Sequence, residues 1–246
     1  MSQKIARLFR LAARYTESPR AFRVKTQGGT PETFWKLDQP WFHDLDLQAV
    51  IDVGTNEGQF SRTMRCLLPE AEIFAFEPIP ECHARTQKRF ADDTSFKLFN
   101  LALGDRKAEA KFSVSVDTGA SSLLPMSSTQ AHYFPASLER REIVVPVETL
   151  DAVMAGQQLR SPYLLKVDVQ GYEHQVLSGG SKTLAGAAMV LLEASYEPFY
   201  EGQRLFDDVY ELLRQHGFQL RDSFNMMHDP RTGRPLQGDF TFLRVK

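Results

Sequence analysis

The sequence predicts an α/β fold in which a mostly parallel, seven-stranded sheet carries helices on both faces. Three observations predict it. The apolar run Ala49-Val50-Ile51-Asp52-Val53 breaks at Gly54 into a turn of small residues that closes at Gly58. A second run, Ile73-Phe74-Ala75-Phe76, ends on Glu77 and Pro78, about twenty residues further on, which is the separation of a nucleoside-binding βαβ unit. From Ala49 onward, short β-type runs alternate with segments of helical period, as a doubly wound sheet requires.

Strands are expected near residues 49–53, 72–76, 96–101, 163–167, 188–193, 217–221 and 239–244. The helices between them carry their own boundaries. Glu57 to Leu68 stops at Pro69, Pro80 to Phe90 opens on a proline suited to a first turn, and Leu205 to His216 ends at Gly217. An insertion at about residues 106–147 separates the third and fourth strands. Within it, Ala110 to Val116 and Ile143 to Val147 alternate like a β-hairpin around Asp117 to Arg141, a strand extension followed by a substrate-facing loop. Ser121, Ser122, His132, Tyr133 and Phe134 give that loop the means to hydrogen-bond and stack on a sugar ring.

Ahead of the sheet, Thr16 to Thr30 contains Pro19 and Gly28-Gly29 and reads as a linker. It leads to Phe34, Trp35, Trp41 and Phe42, aromatics suited to cap the core or shape a pocket entrance. The expected division is an N-terminal helical extension, residues 1–46, and a catalytic domain, residues 47–246.

With 246 residues, 42% hydrophobic and 24% charged, the chain can bury one substantial core. A formal net charge of −2 without a long basic run argues against nucleic acid as a substrate. Cys66 and Cys82 form neither a disulfide framework nor a zinc spacing, which makes the cytoplasm the default compartment. No apolar run approaches the ~20 residues that span a bilayer. The basic, helically periodic start, Lys4 to Arg14, is a candidate for packing on the domain, for a second subunit in a homodimer, or for peripheral membrane or partner contact through residues 1–16.

The motif chemistry can be read residue by residue. Gly54 and Gly58 lack the Cβ atoms that would hold a ligand and the next helix at a distance. At its strand tip, the Glu77 carboxylate can accept hydrogen bonds from two vicinal ribose hydroxyls. The turn is Gly-x-x-x-Gly rather than Gly-x-Gly-x-x-Gly, and Asp52 just before it would repel a pyrophosphate but suits the cationic amino-acid end of S-adenosylmethionine. Asn56, Phe60, Pro78, Asn100 and Ala102 complete the expected cofactor set. Asn100 is placed to bond an adenine edge or a neighbouring turn, and Ala102-Leu103-Gly104 to form an apolar ledge under the base.

The fourth strand ends at Lys166-Val167-Asp168 and the fifth at Glu193, on the carboxyl edge that faces the ligand crevice. Asp168 is a candidate general base, a partner for the methionine amino group, or a cation ligand. Adjacent strands lie about 4.8 Å apart, so Asp168 and Glu193 are candidates to share a magnesium ion or to frame one acceptor hydroxyl. Lys166 is expected to pair with Asp168 or Glu193. Two histidines compete as bases: His174, which follows Glu173 at a helix start, and His228, in a late loop expected to overhang the crevice.

Three segments together resemble the FkbM family of S-adenosylmethionine-dependent methyltransferases: Ile51-Asp52-Val53-Gly54-Thr55-Asn56-Glu57-Gly58, Asn100-Leu101-Ala102-Leu103-Gly104-Asp105 and Leu165-Lys166-Val167-Asp168-Val169-Gln170-Gly171-Tyr172-Glu173. The resemblance runs from about Leu47 to Leu243, and Thr55 stands where that family more often has alanine. It implies the class I methyltransferase fold, Rossmann-like, and methyl transfer to a hydroxyl of a sugar, glycan or polyketide. Metal ligands at such strand ends in some sugar and catechol methyltransferases supply the analogy for magnesium. O-methylation of a saccharide leads, and another natural-product hydroxyl follows. The rivals from other classes are an NAD-dependent oxidoreductase and a cofactor-binding module without catalysis.

Overall fold

The computed structural model describes residues 15–16 and 18–245. The basic segment Lys4 to Arg14 lies outside the described residues. The stretch read as a linker contains a helix, α1 (Pro19–Thr26): the Ser18 hydroxyl caps it by accepting from Ala21 N, and Pro19 sits in the first turn, where no N–H is needed. Gly28 and Gly29 stop it. Two further proline-started helices follow, α2 (Pro31–Leu37) and α3 (Pro40–His43). Ala21, Val24, Phe34, Leu37 and Phe42 are fully buried and share one core cluster with Val50 and Leu164, so this segment packs on the sheet. Each such large side chain contributes roughly 1.5–3 kcal/mol by leaving water.

The sheet begins with β1 (Ala49–Val53), buried along its whole length. Its turn enters α4 (Gln59–Leu67), followed by β2 (Glu72–Phe76), α5 (Pro80–Arg89) and β3 (Phe96–Phe99). The third strand is shorter than expected. After Asn100 the chain leaves the main sheet and forms β4 (Ala102–Gly104), which pairs in a small second sheet with β5 (Ala108–Ser115) and β6 (Arg140–Thr149), in the order β4-β6-β5. The hairpin expected from alternation is thus present as the antiparallel β5–β6 pair, with β5 starting two residues earlier than expected and β6 longer at both ends. Between its strands lie two short 3₁₀ turns and α6 (Ser128–Tyr133).

The chain returns through α7 (Leu150–Met154) to β7 (Tyr163–Val167), then α8 (Glu173–Ser178), α9 (Ser181–Gly186), β8 (Met189–Ser195) and α10 (Phe206–Gln215). It closes with the long hairpin β9 (Phe218–His228) and β10 (Pro235–Arg244). The main sheet has the order β3-β2-β1-β7-β8-β10-β9, parallel except for β10, which runs antiparallel to both neighbours. This is the class I methyltransferase fold. Chain direction across the sheet reverses between β1 and β7, so their carboxyl ends open the crevice that such a switch point leaves for a ligand. Among the described residues, no helix is long and apolar enough to cross a membrane.

Candidate functional site

The turn after β1 is clamped from three sides. Gly54 N and Thr55 N both donate to Phe76 O, at 3.1 and 3.0 Å, which ties the turn to the tip of β2. Gly54 has φ +75°, and a Cβ there would stand 1.9 Å from the Asp168 carbonyl oxygen. Its missing side chain therefore allows β1 and the end of β7 to approach. Gly58, at φ +79°, faces Phe90 and Thr86 and serves the packing of α4 rather than the crevice. Asn56 takes the left-handed conformation, φ +51°, which aims its N–H at Glu77 Oε2, 2.8 Å away. The Asn56 Oδ1 accepts from Thr118 Oγ1 at 2.9 Å, fastening the insertion over the turn.

Glu77 is 3% exposed. Its Oε1 accepts from Ile79 N at 2.8 Å while Oε2 takes the Asn56 N–H. Burial pushes its pKa up to about 7 against these two donors. Each carboxylate oxygen keeps a lone pair beyond its backbone donor, so the group is oriented with accepting capacity left for a ligand.

Asp52 stands elsewhere than the sequence suggests. It is fully buried beneath the turn, where Oδ2 accepts from Thr55 Oγ1 at 2.7 Å and Ser61 Oγ at 2.6 Å, and Oδ1 lies 3.2 Å from Lys166 Nζ. The ammonium of Lys166 also donates to Gly54 O at 2.9 Å and lies 3.7 Å from Asp168 Oδ2. Burial would lower the Lys166 pKa, but Asp52 and Asp168 outweigh it and hold it above its ordinary value. Lysine 166 thus pairs with Asp52 and Asp168, and Glu193 is not among its partners.

Glu193 meets an amide instead. Gln170 Nε2 donates to Asp168 Oδ1 and to Glu193 Oε2, both at 2.9 Å, and Gln237 Nε2 reaches Glu193 Oε1 at 3.3 Å. Across the β8–β10 pair, Asp239 stands opposite Glu193 and accepts from Asn225 Nδ2 at 2.7 Å. Burial first, and the Asp168 and Asp239 charges next, raise Glu193 well above the usual carboxylate range. Burial and Asp168 likewise raise Asp239 to about 6. The side chain of Asp168 is 38% exposed, the most open of these acids.

These groups share one cavity of about 460 Å³. Of the residues expected at the site, Gly54, Asn56, Phe60, Glu77, Pro78, Ala102, Asp168 and Glu193 line it, and Asp52, Gly58, Asn100, His174 and His228 do not. Asn100 spends its amide on the Glu77 and Pro78 carbonyls, at 2.8 and 3.3 Å, which is the turn role. His174 lies on α8 with Ser178 Oγ 3.4 Å from Nδ1. His228 ends β9 and is exposed, because that strand runs on through the stretch expected to be an overhanging loop. Glu173 clasps the chain turn, Oε1 accepting from Val169 N and Gly171 N at 3.1 Å, and burial raises its pKa to about 7.

The same geometry gives the magnesium expectation no support. Among the described residues no group of three or more His, Cys, Asp or Glu side chains is arranged to hold a metal ion, and Asp168 and Glu193 converge on the Gln170 amide. The sequence reading missed Gln170, Asn225 and Asp239 on the cavity wall. Gln170 had a signal, lying between Asp168 and Gly171 in the motif, whereas Asp239 becomes a neighbour only through the antiparallel register of β10.

A family model described as the methyltransferase FkbM domain matches residues 52–220. The 2-O-methyltransferase NoeI of Sinorhizobium fredii is 31% identical over 171 residues, covering 67% of this chain and 70% of that one. Methyltransferase sdnD of Sordaria araneosa is 26% identical over 214 residues, 72% of this chain and 79% of its own. Among solved structures, magnesium protoporphyrin IX methyltransferase (ChlM) from Synechocystis PCC 6803 with bound SAM aligns over 92% of this chain and 79% of that one, with TM-score 0.47 and 11% identity.

Proposed function

Because the chain belongs to the FkbM family of methyltransferases, we propose that it moves the methyl group of S-adenosylmethionine to a hydroxyl of a sugar or glycan. The observation that carries the cofactor half is Glu77, held by two backbone N–H groups on the wall of the cavity with accepting capacity to spare. The residues fit the cofactor: Glu77 would accept from the ribose hydroxyls, with Pro78, Phe60 and Ala102 as apolar walls. A cavity of about 460 Å³ falls in the range of small-molecule sites. The acceptor half is supported by the similarity to a 2-O-methyltransferase and by the acids at the other strand ends.

When bound, S-adenosylmethionine supplies an electrophilic methyl group on a sulfonium, a donor that leaves as a neutral thioether. The protein's own work is then positioning, drying the site and holding a proton. Asp168, more open than the other acids, is the candidate to orient the acceptor hydroxyl and take its proton. Glu193 and Asp239, half-buried and raised, are suited to hydrogen-bond neighbouring acceptor hydroxyls. The histidines are poorer candidates, since neither lines the cavity. Among the described residues Lys166 is the only basic side chain on the wall, and Asp52 already balances it, so the acceptor end favours neutral hydroxyls over an anionic sugar.

Calorimetry with S-adenosylhomocysteine and with NAD tests the cofactor half, heat with the first alone being expected. Methyl transfer from tritiated S-adenosylmethionine to a panel of neutral methyl glycosides tests the acceptor half. Label in a panel of phenols or polyketides, with none in the glycosides, would replace the sugar reading.

A further inference from the structure

Gln170 is held more firmly than a cavity glutamine needs to be. Its backbone sits in the left-handed region at φ +55°, which a side-chain-bearing residue occupies at a cost. Its carbonyl accepts from Ser122 Oγ at 2.7 Å, a residue of the insertion. The Oε1 of its amide lies 3.0 Å from the Tyr200 hydroxyl, and the Tyr200 side chain is almost completely buried. That hydroxyl also faces Ala120 O at 3.1 Å, and the two carboxylates at the other end settle which end of the amide is which. The donor end faces Asp168 Oδ1 and Glu193 Oε2 at 2.9 Å each, so both of its hydrogens are spent on carboxylates.

We propose that Gln170 is the positioning residue of the transfer, a neutral clip that sets Asp168 at the acceptor wall and separates it from Glu193. The physical case turns on its charge. Two carboxylates this close need donors between them. A lysine or arginine would supply them but would also depress the basicity of the acid meant to take a proton. An amide supplies both donors and adds no further charge beside the two acids. The other charged groups are fixed: Lys166 with Asp52 beside Asp168, and Asp239 on β10 and Glu173 on α8 facing Glu193. Through Ser122 and Tyr200 the clip is also tied to the insertion and to the chain that follows β8.

The proposal rests on the reading of Asp168 as the acceptor-facing base, and two readouts separate them. In Gln170→Glu, of nearly equal size, a third carboxylate meets the pair at pH 8. With the best glycoside of the panel, kcat should fall about 100-fold there with the KM for S-adenosylmethionine within about twofold. Towards pH 6 the loss should shrink as the new carboxyl gains a proton that it can donate. A purely structural role predicts instead a uniform loss with weakened S-adenosylhomocysteine binding, and a profile parallel to the parent enzyme would overturn the clip. Should Gln170→Glu not fold, Tyr200→Phe removes the hydroxyl that braces the amide at Oε1. About a fivefold lower kcat with unchanged S-adenosylhomocysteine binding is expected, and an unchanged kcat counts against the proposal. If no glycoside is methylated, the carboxyl carbon signal of Glu193 still decides. This group, which the Gln170 amide pulls down against its burial, should titrate at higher pH in Gln170→Ala, and an unmoved titration refutes the clip independently of any acceptor.

Discussion

Lys166 Nζ lies 3.2 Å from Asp52 Oδ1, with the lysine side chain 6% exposed and the aspartate fully buried. The pair joins β1 to β7 directly beneath the ligand crevice, and the Gly54 carbonyl takes a further hydrogen from the ammonium. Asp52 therefore acts on the site through Lys166 and the turn hydroxyls rather than by touching a ligand.

Breaking that pair from one side should be expensive. Lys166→Met leaves the Asp52 carboxylate without its cation in the interior, and about 3–5 kcal/mol of stability should be lost. The double variant Lys166→Met with Asp52→Asn removes both charges and should recover more than half of the loss. A double-mutant cycle from urea unfolding measures the coupling, and additive losses would show that the two charges do not depend on each other.

Gly54 gives a second test of how the crevice is built. An alanine there meets the Asp168 carbonyl at 1.9 Å and must also hold φ +75°. Gly202 has nearly the same φ, +74°, but open space where a Cβ would go. Gly202→Ala should therefore cost only about 1–2 kcal/mol for its conformation. Gly54→Ala should cost about 3 kcal/mol or more, and should weaken S-adenosylhomocysteine binding by displacing the end of β7. Equal melting shifts for the two variants would mean that conformation alone, and not contact, requires the glycine.

The parts of this site that could be read in the sequence are those written in one local run. Strands β1, β2 and β7 are short apolar stretches ending at Gly54, at Glu77-Pro78 and at Asp168, and each stop signal is adjacent to its strand. Glu77 follows from spacing alone. Helix α1 was hidden because Pro19 and the glycine pair resemble a linker, although Ser18 followed by a proline is also a helix start. Asp239 and Asn225 could not be read, since their proximity to Glu193 depends on the register and bulges of β9 and β10. For Asn100 the sequence left an adenine edge and a neighbouring turn open, and its amide meets the Glu77 and Pro78 carbonyls across the β2–β3 pair, the second of the two.

Glu173 separates the value of an acceptor from the value of a charge. Its Oε1 receives two backbone N–H groups, and its raised pKa near 7 has burial as the main cause. A folded-state pKa above the unfolded one contributes stability that is present below about 4.5 and is lost as pH rises through about 7. Glu173→Gln keeps an oxygen for the turn and removes the ionisation, so it should be neutral near pH 5 and stabilising at pH 8. Glu173→Ala leaves two N–H groups without their acceptor and should cost about 2–3 kcal/mol near pH 5, a loss that shrinks at pH 8 because the ionisation penalty disappears with the carboxylate. Melting curves of both variants at the two pH values check this, and a Gln variant as unstable as the Ala variant at pH 8 would contradict it.

Glu77 should make cofactor binding depend on pH. Burial favours its protonated form, and its pKa of about 7 means that part of the population carries a proton at neutrality. Ribose hydroxyls donate to the ionised carboxylate, so binding should expel that proton. Below the Glu77 pKa the affinity for S-adenosylhomocysteine should therefore improve as pH rises, by about tenfold between pH 5.5 and 7.5, and level off above. Calorimetry in two buffers of different ionisation enthalpy should record a fraction of a proton released near pH 7. Glu77→Gln keeps the shape but cannot change its charge, and should weaken binding while removing both the slope and the proton release. Glu193→Gln, at the other end of the cavity, should leave the slope in place. A parent protein whose affinity is flat from pH 5.5 to 7.5 would mean that Glu77 does not hold the ribose through its ionised form.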